Sequence, residues 1–131
     1  MAIPGPDTTL ADRRRAVAIA GHTGDIDHAR SALADRDPSV RSTALGALER
    51  LGSLADSELD TGLTDPDVDV RRRAAELAAT HPDVDLLGAL HDDDPRVIEV
   101  AAWACGEHES DRDEIVARLV ELVAESDEPL V

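Results

Sequence analysis

The sequence lacks phenylalanine, tyrosine and lysine, and it holds one tryptophan, Trp103, and one cysteine, Cys105. Each absence excludes something. A surface that binds single-stranded nucleic acid by base stacking needs aromatic platforms, and here one ring is available. One cysteine excludes an internal disulfide. Cys105 lies among alanines on an expected helix and reads as a buried, inert thiol. No apolar run reaches the length of a membrane span. The opening Met1-Ala2-Ile3-Pro4-Gly5-Pro6-Asp7 has no basic stretch followed by an apolar one, so it does not read as a secretion signal. The expected location is the cytoplasm, with neither membrane nor cofactor.

Charge is abundant but one-sided. All 13 basic residues are arginine, against 19 Asp and 10 Glu, and the net charge is −16. Such a surface repels phosphate backbones, so nucleic acid is not an expected partner. The acidity and the missing lysine fit two origins equally: a protein adapted to high salt, or one from a GC-rich genome. Hydrophobic residues make up 42% of the 131, which argues for a folded domain rather than a disordered chain. They are nearly all Ala, Leu, Val and Ile, which suits closely packed helices.

What is present is a repeat. Leu33-Ala34-Asp35-Arg36-Asp37-Pro38-Ser39-Val40-Arg41 returns as Leu63-Thr64-Asp65-Pro66-Asp67-Val68-Asp69-Val70-Arg71. It returns again as Leu90-His91-Asp92-Asp93-Asp94-Pro95-Arg96-Val97-Ile98. The chain ends inside a fourth copy, Asp127-Glu128-Pro129-Leu130-Val131. Val40 and Val70 are 30 residues apart, and Val70 and Val97 are 27 apart. A period near 30 is the mark of stacked helical units. In each copy Asp can cap a helix whose first position is open to Pro; in the second copy the cap is Asp67 or Asp65. Apolar residues then follow at helical spacing: Val40, Ala44, Ala47, Leu48 and Leu51; Val70, Ala74, Leu77 and Ala78; Val97, Ala101, Ala104 and Cys105. An earlier helix takes the template through Arg13, Ala16, Ile19 and Ala20. Gly21, Gly52 and Gly106 read as helix stops.

The spacing therefore predicts four B helices, about 9–20, 38–51, 67–80 and 95–106. It predicts four A helices, about 25–34, 53–63, 82–91 and 111–125. Residues 1–8 read as a disordered or extended segment, and 9–131 as a single array. Helices this short depend on packing against their neighbours. The expected fold is an all-α solenoid, an alpha-alpha superhelix of about eight helices. The last A helix carries Ile115, Val116, Leu119, Val120, Leu122 and Val123, more than one apolar face. This predicts further repeats, or self-association, through the C-terminal end.

The phrase Leu-x-Asp-x-Asp-Pro-x-Val-Arg, with Ala three residues on and Gly near the helix end, resembles HEAT repeats. It is closest to the short type related to phycocyanobilin lyases, over about residues 9 to 131. The resemblance implies that Asp35, Asp65 and Asp92 bond turn N–H groups or a neighbouring Arg. It implies that Arg13, Arg41 and Arg71 form the matching ladder, which Ile98 breaks. Most HEAT arrays are non-catalytic scaffolds that grip a protein partner, and that is the expected function here. The alternative is a bilin-lyase-like or other HEAT-repeat enzyme or accessory factor. The HEAT enzyme deoxyhypusine hydroxylase binds iron through His-Glu pairs at B-helix starts. The matching positions here are Thr43-Ala44, Arg73-Ala74 and Ile98-Glu99, and the chain's His-Glu pair, His108-Glu109, falls beyond Gly106. Nucleic-acid binding, as in HEAT-like glycosylases, has only the Arg runs 13–15 and 71–73 in its favour, and these read as ladder residues plus solvated or Asp-paired neighbours.

Other clusters read blandly. Asp92-Asp93-Asp94 lacks the Gly and Glu of a calcium loop. His81, His91 and His108 have no zinc-like helical spacing. No catalytic or metal residue is nominated. The candidate partner-binding surface is Arg14, Ser42, Arg72 and Glu99, which oppose the core side of the B helices, with Trp103. By ~100° per residue, Trp103 lies about 120° from the Val97 direction. There it packs against a further repeat, the favoured reading, or edges the binding face.

Overall fold

The computed structural model describes residues 9–124; along its last helix the side chains at 110–116, 119 and 122 fall outside the description. So do the expected extended segment at 1–8, the fourth copy of the phrase and most of the apolar face predicted for the last A helix. The described chain is all-helical. Six α-helices follow in order: α1 Leu10–Thr23, α2 Ile26–Ser31, α3 Pro38–Arg50, α4 Asp56–Gly62, α5 Val68–Leu77 and α6 Pro95–Ala124. Short 3-10 turns follow at Ala32–Ala34, Ala78–Thr80 and Ala89–His91.

The Asp caps form as expected. The Asp37 carboxylate accepts from the Ser39 N–H at 2.8 Å, and Asp94 accepts from the Arg96 N–H at 2.8 Å. In the second copy the cap is Asp67, which takes the N–H groups of Asp69 and Val70. The acid two residues earlier has a different task. Asp35, Asp65 and Asp92 each accept the N–H of Asp37, Asp67 and Asp94, all at 2.9 Å, and so hold the turn closed.

Their second oxygens face arginine. Arg13 meets Asp35 at 3.2 Å, Arg41 meets Asp65 at 2.9 Å and Arg71 meets Asp92 at 2.9 Å. The Arg41–Asp65 pair is two-pronged, with a second bond of 2.9 Å. Arg41 and Arg71 also donate to the carbonyls of Asp35 and Asp65, both at 2.9 Å. Each of these two guanidiniums thus ties its own turn to the next. The Asp65 side chain is 10% exposed and the Arg41 side chain 18%, so water screens the pair poorly. Burial works against the charges of Asp65 and Asp92. The arginine and turn N–H bonds outweigh it and hold both carboxyls below the usual carboxylate range.

The core follows the predicted spacing in the middle of the chain. Val40, Ala44, Ala47, Leu48, Val70, Ala74, Ala78, Val97, Ala101 and Ala104 are all buried. α1, α3, α5 and α6 pack in that order, each on the next. The ends show this order in their exposure. Val17, Leu45 and Ala75 face the next helix and are buried, while the matching Ala102 of α6 is exposed. Ala16 is exposed and Ile19 is 51% exposed, whereas their counterparts Ala44 and Ala47 are buried. The template placed Ala16 and Ile19 in the core, but Ala16 lines an open cleft beside α2 and Ile19 is left exposed.

Three expectations about the helices are corrected. Gly21 does not stop α1. A Cβ there would meet the Ala47 Cβ at 3.0 Å, so this glycine permits close approach of α3. The stop is Gly24, at φ 87, the left-handed value glycine takes without strain. The third A helix, 82–91, is replaced by turns and the 3-10 segment Ala89–His91. This copy is three residues short, nearly one helical turn, and Pro82 holds His81 off the helical region, at φ −122 and ψ 80. The helices expected at 95–106 and 111–125 are one helix of 30 residues. Gly106 costs it about 1 kcal/mol relative to Ala, with no proline beside it and charged helix formers following. The described residues thus form six α-helices where about eight were expected.

Asp65→Ala should therefore cost roughly 2–4 kcal/mol in urea unfolding, because it strands Arg41 and opens a turn. Asp67→Ala, which loses only a cap, should cost about 1 kcal/mol. A carboxyl whose pKa is lowered by folding stabilises above its unfolded value, about 3.9, and that stability is lost as pH falls through the folded value. The Asp65→Ala deficit should thus shrink in acid. Equal costs for the two variants, or a deficit independent of pH, would show that the rung does not bear load.

Candidate interaction surface

The long helices α1, α3, α5 and α6 bury one side and leave the opposite side open. On α3 the open stripe is Ser42, Gly46 and Arg50; on α5 it is Arg72 and Glu76; on α6 it is Glu99, Trp103 and Glu107. The i, i+4 spacing places each set on one helical stripe. The five nominated residues all lie along it. Arg14, Arg72, Glu99 and Trp103 are exposed and Ser42 is half-buried. No hydrogen bond or ion pair links these five among the described residues, and Ser42 lines a cleft. Ala18, Gly46, Glu76 and Trp103 lie one turn further along the same stripe. Trp103 is 52% exposed. Its favoured reading, packing against a further repeat, has no counterpart among the described residues.

Between α1 and α3 the stripe sinks into a cleft of about 300 Å³, lined by Ala18, Gly21, His22, Ser42, Thr43, Gly46, Ala47, Arg50 and Arg73. Sequence reasoning missed most of these. Arg73 was grouped with solvated or Asp-paired arginines; instead it bonds Glu76 at 2.7 Å and lies across α3. Its Nη2 sits 2.8 Å from where a Gly46 Cβ would be, so the missing side chain makes room for the guanidinium. The available signal was the small residue at an exposed helix position, Gly46, where the other copies have Ala18, Glu76 and Trp103.

The histidines are tied down separately. His91 Nδ1 meets the Leu87 carbonyl at 2.9 Å, and His108 Nε2 meets the Ala78 carbonyl at 2.7 Å. His108 lies within α6 rather than in a loop. His81 lies between two carboxylates, Glu49 at 2.6 Å and Asp56 at 3.0 Å, and joins the end of α3 to the start of α4. Burial opposes its charge, but bonds to Glu49 and Asp56 outweigh it and raise its pKa above the ordinary imidazole value. Cys105 is half-buried rather than buried. Burial, then Glu109 and Asp85, push its thiol up, so it stays protonated. No group of three or more metal-binding side chains occurs among the described residues. No described helix is long and apolar enough to cross a membrane.

No family model matches this sequence, and no curated protein matches it.

A raised histidine pKa stabilises fully below the unfolded value, about 6.5, and the effect is lost as pH rises through the folded value. The thermal midpoint of the wild type should therefore exceed that of His81→Gln most at about pH 5.5, and the gap should close toward pH 9. A gap of constant size across that range would mean that His81 acts by shape alone.

Proposed function

We propose that this chain is a HEAT-like solenoid, an alpha-alpha superhelix, acting as a non-catalytic scaffold that binds a protein partner on the open face of its long helices. Trp103 carries this reading. The chain's one aromatic ring stands half exposed on the stripe that the other long helices fill with Ala18, Gly46 and Glu76. A tryptophan has about 150–250 Å² to bury, so covering its open half offers roughly 3 kcal/mol, the scale of an interface hot spot. The ordered packing of α1, α3, α5 and α6 supports the solenoid. The Arg–Asp rungs support the resemblance to HEAT turns, and they leave Arg13, Arg41 and Arg71 occupied inside the fold. In this reading the protein is cytoplasmic and uses no cofactor, and its face runs from Arg14 through Ser42 and Arg72 to Glu99 and Trp103. The open Ala102 and the exposed Val120 and Val123 mark the side where another repeat or a second copy would stack.

The partner isolated from the source cells with the wild-type protein should bind Trp103→Ala at least tenfold more weakly, with helix content unchanged by circular dichroism; tenfold corresponds to about 1.4 kcal/mol. Unchanged affinity would place the binding surface elsewhere. An absorption band of a bilin or an iron–oxo centre in the purified protein would overturn the scaffold in favour of the enzyme reading.

A further inference from the structure

The cleft between α1 and α3 differs in charge from three other clefts among the described residues. Those three are lined by carboxylates: Asp12 and Asp35 in one, Glu58 and Asp65 in another, Asp85, Asp92 and Asp93 among those of the third. The α1–α3 cleft has no acidic residue in its lining. It presents Arg50, Arg73 and His22 beside the hydroxyls of Ser42 and Thr43. In a chain of 13 cations and 29 carboxylates, a lining with cations and no acid is against the composition.

The neighbouring bonds keep it so. Glu49, next to Arg50 in sequence, is turned to His81, with Oε2 at 2.6 Å from the ring nitrogen. Arg50 is exposed and makes no hydrogen bond or ion pair among the described residues. The Thr43 hydroxyl donates to the Ser39 carbonyl at 2.8 Å, which leaves its lone pairs outward, while the Ser42 hydroxyl is unengaged. Glu76 takes Nη1 of Arg73, and Nη2 lies over Gly46. The cleft lining thus carries two guanidiniums, that of Arg73 shared with Glu76, together with an imidazole and a free hydroxyl.

We propose that this cleft seats an acidic side chain of the protein partner, a Glu or Asp of an extended segment laid along the open face. The inference rests on the scaffold reading and names the chemistry of its partner. Charge complementarity favours a short acidic segment over nucleic acid. At about 0.15 M salt the screening length is about 8 Å, so one carboxylate in the cleft feels its arginines more than the net charge. A long polyanion would run out over the carboxylates that crowd the rest of the surface. Arginine's planar fork suits a carboxylate in two-pronged contact.

The test uses a fluorescein-labelled hexaglutamate peptide and the full chain, read by fluorescence anisotropy at about 0.15 M salt. Saturable binding is expected, weakened at least tenfold by Arg50→Glu and by Arg73→Glu. Gly46→Glu, which sets a carboxylate beneath Arg73, should weaken it similarly. Arg36→Glu, an exposed site outside the cleft with the same change in charge, should leave it unaltered. Failure to bind, equal loss in Arg36→Glu, or displacement of the peptide by oligothymidylate at an equal number of charges would overturn the proposal. The two readings fail apart. Native-partner binding that survives Arg50→Glu but not Trp103→Ala would overturn the cleft and leave the scaffold. Native-partner binding that is lost in Arg50→Glu but survives Trp103→Ala, with peptide binding that depends on Arg50, would support the cleft and remove Trp103 from the scaffold surface.

Discussion

The two-pronged contact between an arginine of one turn and the aspartate of the next is the interaction on which the rest of this structure depends. A fold without Phe or Tyr, with Ala as its commonest core residue, buries little area per side chain. Its largest fully buried side chains are Leu45, Leu48 and Leu59, with Val17, Val40, Val70 and Val97. Alanine-lined helices can approach closely, but they pack with few features to set their rotation. The Arg41–Asp65 and Arg71–Asp92 contacts supply that setting, since a planar fork accepts a carboxylate in a narrow range of directions. The same aspartates close the turn through the N–H groups of Asp67 and Asp94. One carboxylate therefore fixes both the local turn and the approach of the neighbouring unit.

This economy explains where charge goes. The aspartates of each phrase are spent in pairs, one on the cap and one on the rung, and the surface collects the remainder. Arg13, Arg41 and Arg71 are spent on the same rungs. What stays open is the outer row of the long helices, which the packing does not use. Trp103 and Arg50 lie on that row, so its composition is free to answer to a partner rather than to the fold.

Several elements were legible in the sequence because their cause is local. The Asp-Pro and Asp-x-Val starts of α3, α5 and α6 depend on groups within three residues of one another, and all three caps form. Most core positions of α3 and α5 follow from helical spacing, but Leu45 and Ala75 are buried outside the predicted rows, and Leu51 and Leu77 are half-buried. The errors arose where the outcome depends on distant groups. Gly21 and Gly106 look like Gly52 in the sequence, yet only Gly52 takes a left-handed φ, at 66. Gly21 answers to Ala47 on another helix, and Gly106 is carried through by the helix on either side of it. The third A helix failed for a reason that was in plain view, a copy three residues short with Pro82 at its head.

By itself the sequence determined the helical class, the phase of the repeat and the caps, because these rest on bonds between near neighbours and on a period that recurs; the pairing of Arg with Asp, across 21 to 24 residues, came only as what the resemblance implies. Only the tertiary structure decided which positions lie at an open end, where one unit's Gly46 receives another unit's Arg73, and that Glu49 turns to His81 and leaves Arg50 bare. Those outcomes join residues 27 to 32 apart, across helices whose relative rotation no local pattern encodes. The candidate surface divides the same way. Its row could be read from helical spacing, but the acid-free cleft between α1 and α3 exists only when α1, α3 and α5 are brought side by side.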